Sequence, residues 1–339
     1  MKKFLLFLVS LFIGIALFIW VSRAIGWSEI KNAMLVFTGW QGMAILSLSF
    51  LMALVGTWKW REVLKETGGK ISFREIWRVY LASFSIRFLA PIIIVGAEIF
   101  QGYVLKKKNS IPWSQGMASV VIDRILEWTA NLTVVFFGGM FFFLIIGFPP
   151  LKLAVIFGSL FLLFFCGLAF FYFKVFKKES IVKALARVFN YKMNVQPLGA
   201  EEEIFKFFKF SKKKMICKIV CLNFLRAGIM LLRVWLLVSF LGGKVGALSA
   251  LSLLGFSYLA VMIPIPMSLG SHELIQTFAF NSLGLGAATA TAFTMIIRGA
   301  ELIVALLGLL VLFRLGMFLV RDIFLEKVNG FAKNNNAWS

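Results

Sequence analysis

RFLAPIIIVGAE (residues 87–98) leading to DRILE (residues 123–127), and IPIPMSLGSHE (residues 263–273) leading to IRGAE (residues 297–301), are two passages of one design. Pro91 and Pro266 each stand seven residues before a glutamate, Glu98 or Glu273, and a glycine, Gly96 or Gly270, comes shortly before each glutamate. Glu98 lies twenty-six residues before Arg124 and Glu273 twenty-five before Arg298, and each arginine is followed three residues later by Glu127 or Glu301. Proline removes a backbone donor and disfavours helix at the preceding residue. Each passage therefore reads as a broken helix carrying Glu, then a long helix carrying Arg and Glu on one face.

The surrounding chain explains why a broken helix matters. Its 339 residues are 60% hydrophobic and 15% charged, more apolar side chain than a soluble protein can bury. Apolar runs fall at 4–21, 41–58, 79–105, 113–147, 151–173, 219–241, 245–263 and 287–320. Pro91 divides the third into halves of roughly 20 Å as helix, short of a hydrocarbon core of about 30 Å, so it reads as a re-entrant hairpin. The run from 245 breaks at Pro264-Ile265-Pro266 and resumes near residue 271, a second re-entrant hairpin. The expectation is an all-α polytopic membrane protein of about six crossings plus two re-entrant hairpins, forming a single transmembrane domain over 1–339. The run at 4–21 is longer than a secretory signal core and reads as a retained first helix.

Charge supports this layout and sets its orientation. With both hairpins re-entrant, twenty-seven of the 36 Lys and Arg residues fall on the side of Lys2 and Lys3, six of them in the loop 59–78 and twelve in the basic cytoplasmic loop 174–218, and four on the other, Arg23, Lys31, Lys152 and Lys244. By the positive-inside rule the N- and C-termini, with the tail 321–339, are cytoplasmic and the protein resides in the cytoplasmic membrane. The two repeat units, 41–147 and 219–320, then run in opposite senses. The net charge of +21 is thereby accounted for without a nucleic-acid partner. The segment 174–218, with FKFFKFSKKK, suits contact with anionic lipid, or is topogenic charge alone.

Five cations remain inside the membrane, Arg87, Arg124, Arg226, Arg233 and Arg298, against Glu98, Asp123, Glu127, Glu273 and Glu301. All five are arginine, whose planar fork suits carboxylate and phosphate. Buried ionisable groups are costly unless paired and mark substrate or ion paths. Arg124 with Glu127 and Arg298 with Glu301 read either as structural pairs or as part of such a path. Asp123 reads as a local partner or cap, Arg226 as a path residue or one that snorkels, and Arg87 lacks a counterpart in the other repeat. His272, the only histidine, suits a hairpin hydrogen bond or a ligand contact. The 39 Phe and 10 Trp read mostly as lipid-facing bulk and interfacial anchors. Inverted repeats of broken helices with midplane charges are a transporter design, and the two hairpins should bring Glu98 and Glu273 together.

Other chemistry is bounded by composition. One histidine leaves no two-histidine zinc motif, the three cysteines, Cys166, Cys217 and Cys221, have no redox or zinc spacing, and no P-loop or dinucleotide glycine pattern occurs. No metal, cofactor or catalytic activity is expected.

The ordered pair of elements, Pro91 to Glu98 leading to Val121-Ile122-Asp123-Arg124, and Ile263-Pro264-Ile265-Pro266 with Gly270-Ser271-His272-Glu273 leading to Arg298, resembles the lysylphosphatidylglycerol synthase transmembrane-region family, the flippase-like domain of bacterial aminoacyl-phospholipid resistance proteins. The resemblance spans about 4–320 and implies a domain that moves a modified phospholipid between leaflets, without the soluble synthase. The chain departs from the family pattern at His272, where a basic residue is frequent, and at Ala97 and Gln101 in the first motif. These changes remove cations from the headgroup site that the resemblance implies and put a lysylated lipid in doubt, while leaving lipid translocation open. The resulting expectation is a lipid translocase or transporter whose partners are membrane lipids, with Glu98, Arg124, Glu127, Arg226, Arg233, His272, Glu273, Arg298 and Glu301 as its path. The alternatives are an ion-coupled carrier of a small anionic solute and a non-catalytic membrane subunit of a lipid or glycan pathway.

Overall fold

The computed structural model describes residues 39–89, 96–147, 151–180, 195–262 and 271–335. They form ten helices: α1 Trp40–Glu66, α2 Phe73–Leu89, α3 Gly96–Asn109, α4 Trp113–Ile146, α5 Leu151–Phe176, α6 Val195–Phe210, α7 Lys213–Phe240, α8 Ala247–Met262, α9 Ser271–Ser282 and α10 Ala287–Asn335. The expected all-α polytopic architecture holds. Four helices, α1, α4, α7 and the Thr289–Gly316 part of α10, are long and apolar enough to cross a membrane. The run at 4–21, the breaks at Pro91, Pro264 and Pro266, and Gly270 lie outside the described residues.

The architecture turns on α1 and α7, which cross antiparallel. Trp40 stacks edge-on against Phe240 with ring centroids 4.9 Å apart, Arg233 meets Ser49, Lys59 meets Asn223, and Lys218 meets Glu62 at 2.9 Å. The numbers rise on one helix as they fall on the other. Whatever follows α1 therefore starts at the opposite end of the bundle from whatever follows α7.

After α1, Gly68 at φ +93° turns the chain, a conformation that favours glycine, and α2 and α3 form the first hairpin. Its base is closed by Asn109 Nδ2 donating to Glu75 Oε2 at 3.2 Å, with Ile71, Ile76, Leu105 and Ile111 in one buried cluster. This base lies by the C-terminal end of α1, where Arg61 Nε donates to Ile71 O at 3.3 Å. After α7, α8 and α9 form the second hairpin at the other end. There Val245 and Leu285 join one cluster, and a Cβ on Gly243 would stand 3.3 Å from Leu285. Gln276 of α9 ties the arms by donating to Ser257 Oγ of α8 at 2.6 Å.

The two repeats exchange their first arms. The α2 arm of the first packs on α10 of the second, and the α8 arm of the second packs on α4 of the first. Each second arm stays on its own long helix, α3 on α4 and α9 on α10. Exchange demands close backbone approach, and the contact residues are small. A Cβ on Gly308 of α10 would stand 2.2 Å from Leu81 O and Ser85 Oγ of α2, and one on Gly138 of α4 would stand 2.7 Å from Leu251 O of α8. Gly308→Ala should therefore force the helices apart and destabilise the fold by about 1–3 kcal/mol. Gly316→Ala, on the same helix with nothing within 4 Å, should be neutral; equal melting temperatures for the two variants would refute the close crossing.

Segment 174–218, expected as a loop, contains α6. Ile204 and Phe207 are buried with Val63, Ile122, Leu126, Phe171 and Ile219, so the apolar face of FKFFKF covers α4 and α5. Phenylalanine is likewise not only lipid-facing bulk, for Phe142, Phe256, Phe280 and Phe293 are buried in the core. Phe136, Leu144, Val155 and Leu163 on α4 and α5 do face outward.

Candidate functional site

Two groups of buried charge lie along the α1–α7 axis. The first centres on Glu127 of α4. Its Oε1 accepts a hydrogen bond from Arg226 Nη1 of α7, and its Oε2 accepts one from Arg124 Nη1 at 2.7 Å with Lys59 Nζ at 3.7 Å. Beneath it, Lys59 of α1 is sealed, 1% exposed, with Asp123 Oδ1 at 3.1 Å and Asn223 Oδ1 of α7 at 3.1 Å. Above it, Glu98 occupies the first turn of α3, where free backbone amides favour a carboxylate. Its Oε1 lies 3.5 Å from Arg124 Nε and 3.7 Å from Arg87 Nη1. The Arg87 guanidinium also sits 5.9 Å over the Tyr80 ring.

The second group centres on Arg233 of α7, which is 1% exposed. It donates through Nη2 to Glu301 Oε1 of α10 at 3.1 Å and through Nη1 to Ser49 Oγ of α1 at 3.0 Å. His272, buried at the start of α9, lies within electrostatic reach of Arg298 and Arg233. Its Nδ1 has no hydrogen-bond partner among the described residues. Glu273 lies in α9, but its side chain, and with it the expected approach to Glu98, is outside the described residues.

A single spacing relates the two groups. Lys59 and Arg233, Ser49 and Asn223, Arg124 and Arg298, and Glu127 and Glu301 are each 174 residues apart. The contacts repeat with the residues: a cation from the first helix of each repeat meets the glutamate of that repeat's long helix and a polar side chain on the facing first helix. The repetition of whole contacts makes these two half-sites of one symmetric design. The match is incomplete at Arg226, Asp123 and Arg87, which correspond by the same or the adjacent spacing to Met52, Ile297 and Met262.

Several sequence expectations change here. Lys59, counted with the loop cations after the second run, is a buried member of the first half-site, so the embedded cations are not all arginine. Hydropathy placed it at the edge of an apolar run, but α1 continues to Glu66 with Lys59, Glu62 and Val63 on its buried face. Asp123 pairs across helices with Lys59 rather than capping locally, and Arg226 turns inward to Glu127 rather than snorkelling. Arg87, without a counterpart in the other repeat, joins Glu98. Ser49, Lys59 and Asn223 were missed; carrying the 174-residue spacing back onto the first helices would have found all three.

Ionised groups in a membrane interior cost several kcal/mol unless compensated, and compensation here is partial. Arg124 Nε and Nη2, Arg226 Nε, Arg233 Nε and Glu98 Oε2 are buried without a hydrogen-bond partner. A buried guanidinium donor without an acceptor suits an oxyanion. Among the described residues, no group of three or more His, Cys, Asp and Glu could hold a metal ion. Two surface clefts, one lined by Ser239 and Gly242 to Gly246 and one by Glu66 to Gly68, Gln115 and Lys206, lie at helix ends away from these charges.

Comparison with known proteins extends the match across the chain. The family model described as "Lysylphosphatidylglycerol synthase TM region" matches residues 7–308. A UPF0104 membrane protein of Methanocaldococcus jannaschii is 24% identical over 264 residues, covering 74% of this chain and 77% of its own length. A UPF0104 membrane protein of Pyrococcus horikoshii is 25% identical over 316 residues, covering 88% and 92%. No solved structure matches.

Proposed function

The chain belongs to the lysylphosphatidylglycerol synthase TM region family, and on that premise we propose that it is a lipid translocase, carrying a phosphate-bearing headgroup between leaflets along the two half-sites. The observation that carries this reading is the pair of matching charged half-sites, one in each antiparallel repeat, with buried guanidinium donors that lack acceptors. A path repeated in opposite senses can be offered to either side of a membrane by rocking one repeat against the other. The phosphate meets Arg124 and Arg226, and passes Arg233 and Arg298 further along; Glu98, Glu127, Glu273, Glu301 and His272 line the same route. Arg226 and Arg233 are seven residues apart on α7, so the two levels stand roughly 10 Å apart along the helix axis.

On this reading the protein sits in the cytoplasmic membrane with both termini inside, supported by the bias of Lys and Arg. Its partners are membrane lipids, and the role is transport rather than chemistry. Because the apolar face of α6 is taken up by the chain itself, its exposed lysines, such as Lys206, are left to face anionic headgroups.

Proteoliposomes loaded with headgroup-labelled anionic, zwitterionic and aminoacylated phospholipids test the proposal. The unaltered chain should move at least one of them, and both Glu98→Gln and Glu273→Gln should abolish that movement. Absence of movement for every lipid would overturn it, in favour of a solute carrier or an accessory subunit.

A further inference from the structure

Building on the translocase reading, we infer that the first half-site selects a headgroup of net charge −1, a phosphodiester bearing an uncharged, hydroxylated alcohol, and that Arg226 sets this selection. The half-site has two layers. The base, Lys59 with Asp123, is sealed at 1% and 4% side-chain exposure and electrically balanced. The rim is accessible: Arg87, Arg124 and Arg226 retain 25%, 18% and 22% side-chain exposure, and Glu98 and Glu127 retain 14% and 13%. Three guanidinium groups against two carboxylates leave the rim at +1.

A headgroup of charge −1 brings this rim to neutrality inside the membrane, where residual charge is costly. A zwitterionic headgroup leaves it at +1, and a lysylated glycerol headgroup, with two ammonium groups against one phosphate, raises it further. The hydrogen-bond inventory points the same way. Arg87 Nη1, Arg124 Nε and Nη2 and Arg226 Nε supply donors to the two free phosphodiester oxygens, and on the rim Glu98 Oε2 is the buried acceptor without a partner, Asp123 Oδ1 in the base being ion-paired to Lys59. Glu127 has both oxygens engaged. One free acceptor satisfies one hydroxyl; an ammonium would bring three donors and a charge.

Arg226 is assigned because symmetry supplies the control. Its counterpart 174 residues earlier is Met52, and the corresponding residues of the second repeat, Arg233 and Arg298 with Glu273 and Glu301, balance in the sequence. Arg226, like Arg87, gives the first half-site a charge that the shared design lacks, and of the two it is Arg226 that donates to Glu127, the centre of the half-site. Glu127 keeps Arg124 and Lys59 when Arg226 is removed, so Arg226→Met reproduces a residue pattern that the other repeat already carries.

The test uses acyl-chain-labelled phosphatidylglycerol, phosphatidylcholine and lysylated phosphatidylglycerol in proteoliposomes, so that headgroups are native, with monodispersity on gel filtration as the check of folding. The unaltered chain should move phosphatidylglycerol about tenfold faster than either other lipid, and Arg226→Met should bring that ratio to about twofold or less, as removal of one charged discriminating contact predicts. Arg226→Lys, which keeps the charge and loses the fork, should retain most of the ratio. Brisk movement of all three lipids without preference overturns the inference and leaves the translocase reading intact, as does an Arg226→Met variant that slows every lipid in proportion. Movement of no lipid overturns both, and uptake of water-soluble glycerophosphoglycerol without movement of lipid assigns the site to a free phosphodiester instead.

Discussion

Glu127→Gln will release Arg226, Arg124 and Lys59 together, and the variant is expected to lose about 3–5 kcal/mol of stability, the usual consequence of removing one partner from a buried ion pair. Among the described residues the carboxylate is the one group that meets all three cations. Glutamine keeps the shape and one acceptor but leaves three cations facing one carboxylate on the rim, Glu98, with Asp123 below. Glu301→Gln is the internal comparison: Glu301 is 30% exposed and is met by Arg233 at 3.1 Å. An exposed carboxylate is better solvated and worth less when lost. Thermal unfolding in detergent, followed by gel filtration, should therefore place Glu127→Gln well below Glu301→Gln. Equal melting temperatures would show that the three contacts to Glu127 do not hold α1, α4 and α7 together.

The second large effect concerns the sealed base. Lys59→Met leaves Asp123, at 4% exposure, without its cation and should cost a further several kcal/mol by the same argument. Replacing both, as Lys59→Met with Asp123→Ile, removes the orphaned charge and installs at 123 the residue that stands 174 positions later, Ile297. Exchange of a buried ion pair for apolar side chains is often neutral or stabilising, so the double variant should recover most of the single variant's loss. The cycle is informative because the residues touch; a sum of two independent losses would mean that they do not interact. Asn223, which also accepts from Lys59, provides a milder third point, with Asn223→Leu expected to cost about 1–3 kcal/mol for an unmet donor on a charged group.

Much of this protein was legible before any coordinates. The proline breaks at 91 and 266, the short half-runs on either side and the spacing from Glu98 to Arg124 and from Glu273 to Arg298 are statements about local helix chemistry and length. Backbone donors and membrane thickness act on consecutive residues, so periodicity and hydropathy can report them. The bias of Lys and Arg added the antiparallel sense of the repeats, and the Arg-x-x-Glu pairs followed from helix period alone. The sequence determined, in this way, an all-helical membrane fold and the identity of most of the charges inside it, while the breaks it places at Pro91 and Pro266 lie outside the described residues.

Only the tertiary structure decided how those charges combine. Lys59 looked like one more loop cation because hydropathy weighs a residue by its neighbours along the chain, whereas its burial comes from α4 and α7, 64 and 164 residues away. Arg226 could have turned outward or inward; what settled it was Glu127, 99 residues earlier and on another helix. The exchange of first arms between repeats, made at Gly308 and Gly138, was equally invisible, since a glycine in a membrane helix does not name the backbone it will approach. Local helix formation is set by residues within a turn or two of one another, but the pairing of buried charge is set by which helix faces meet, and that is settled by the packing of the whole bundle.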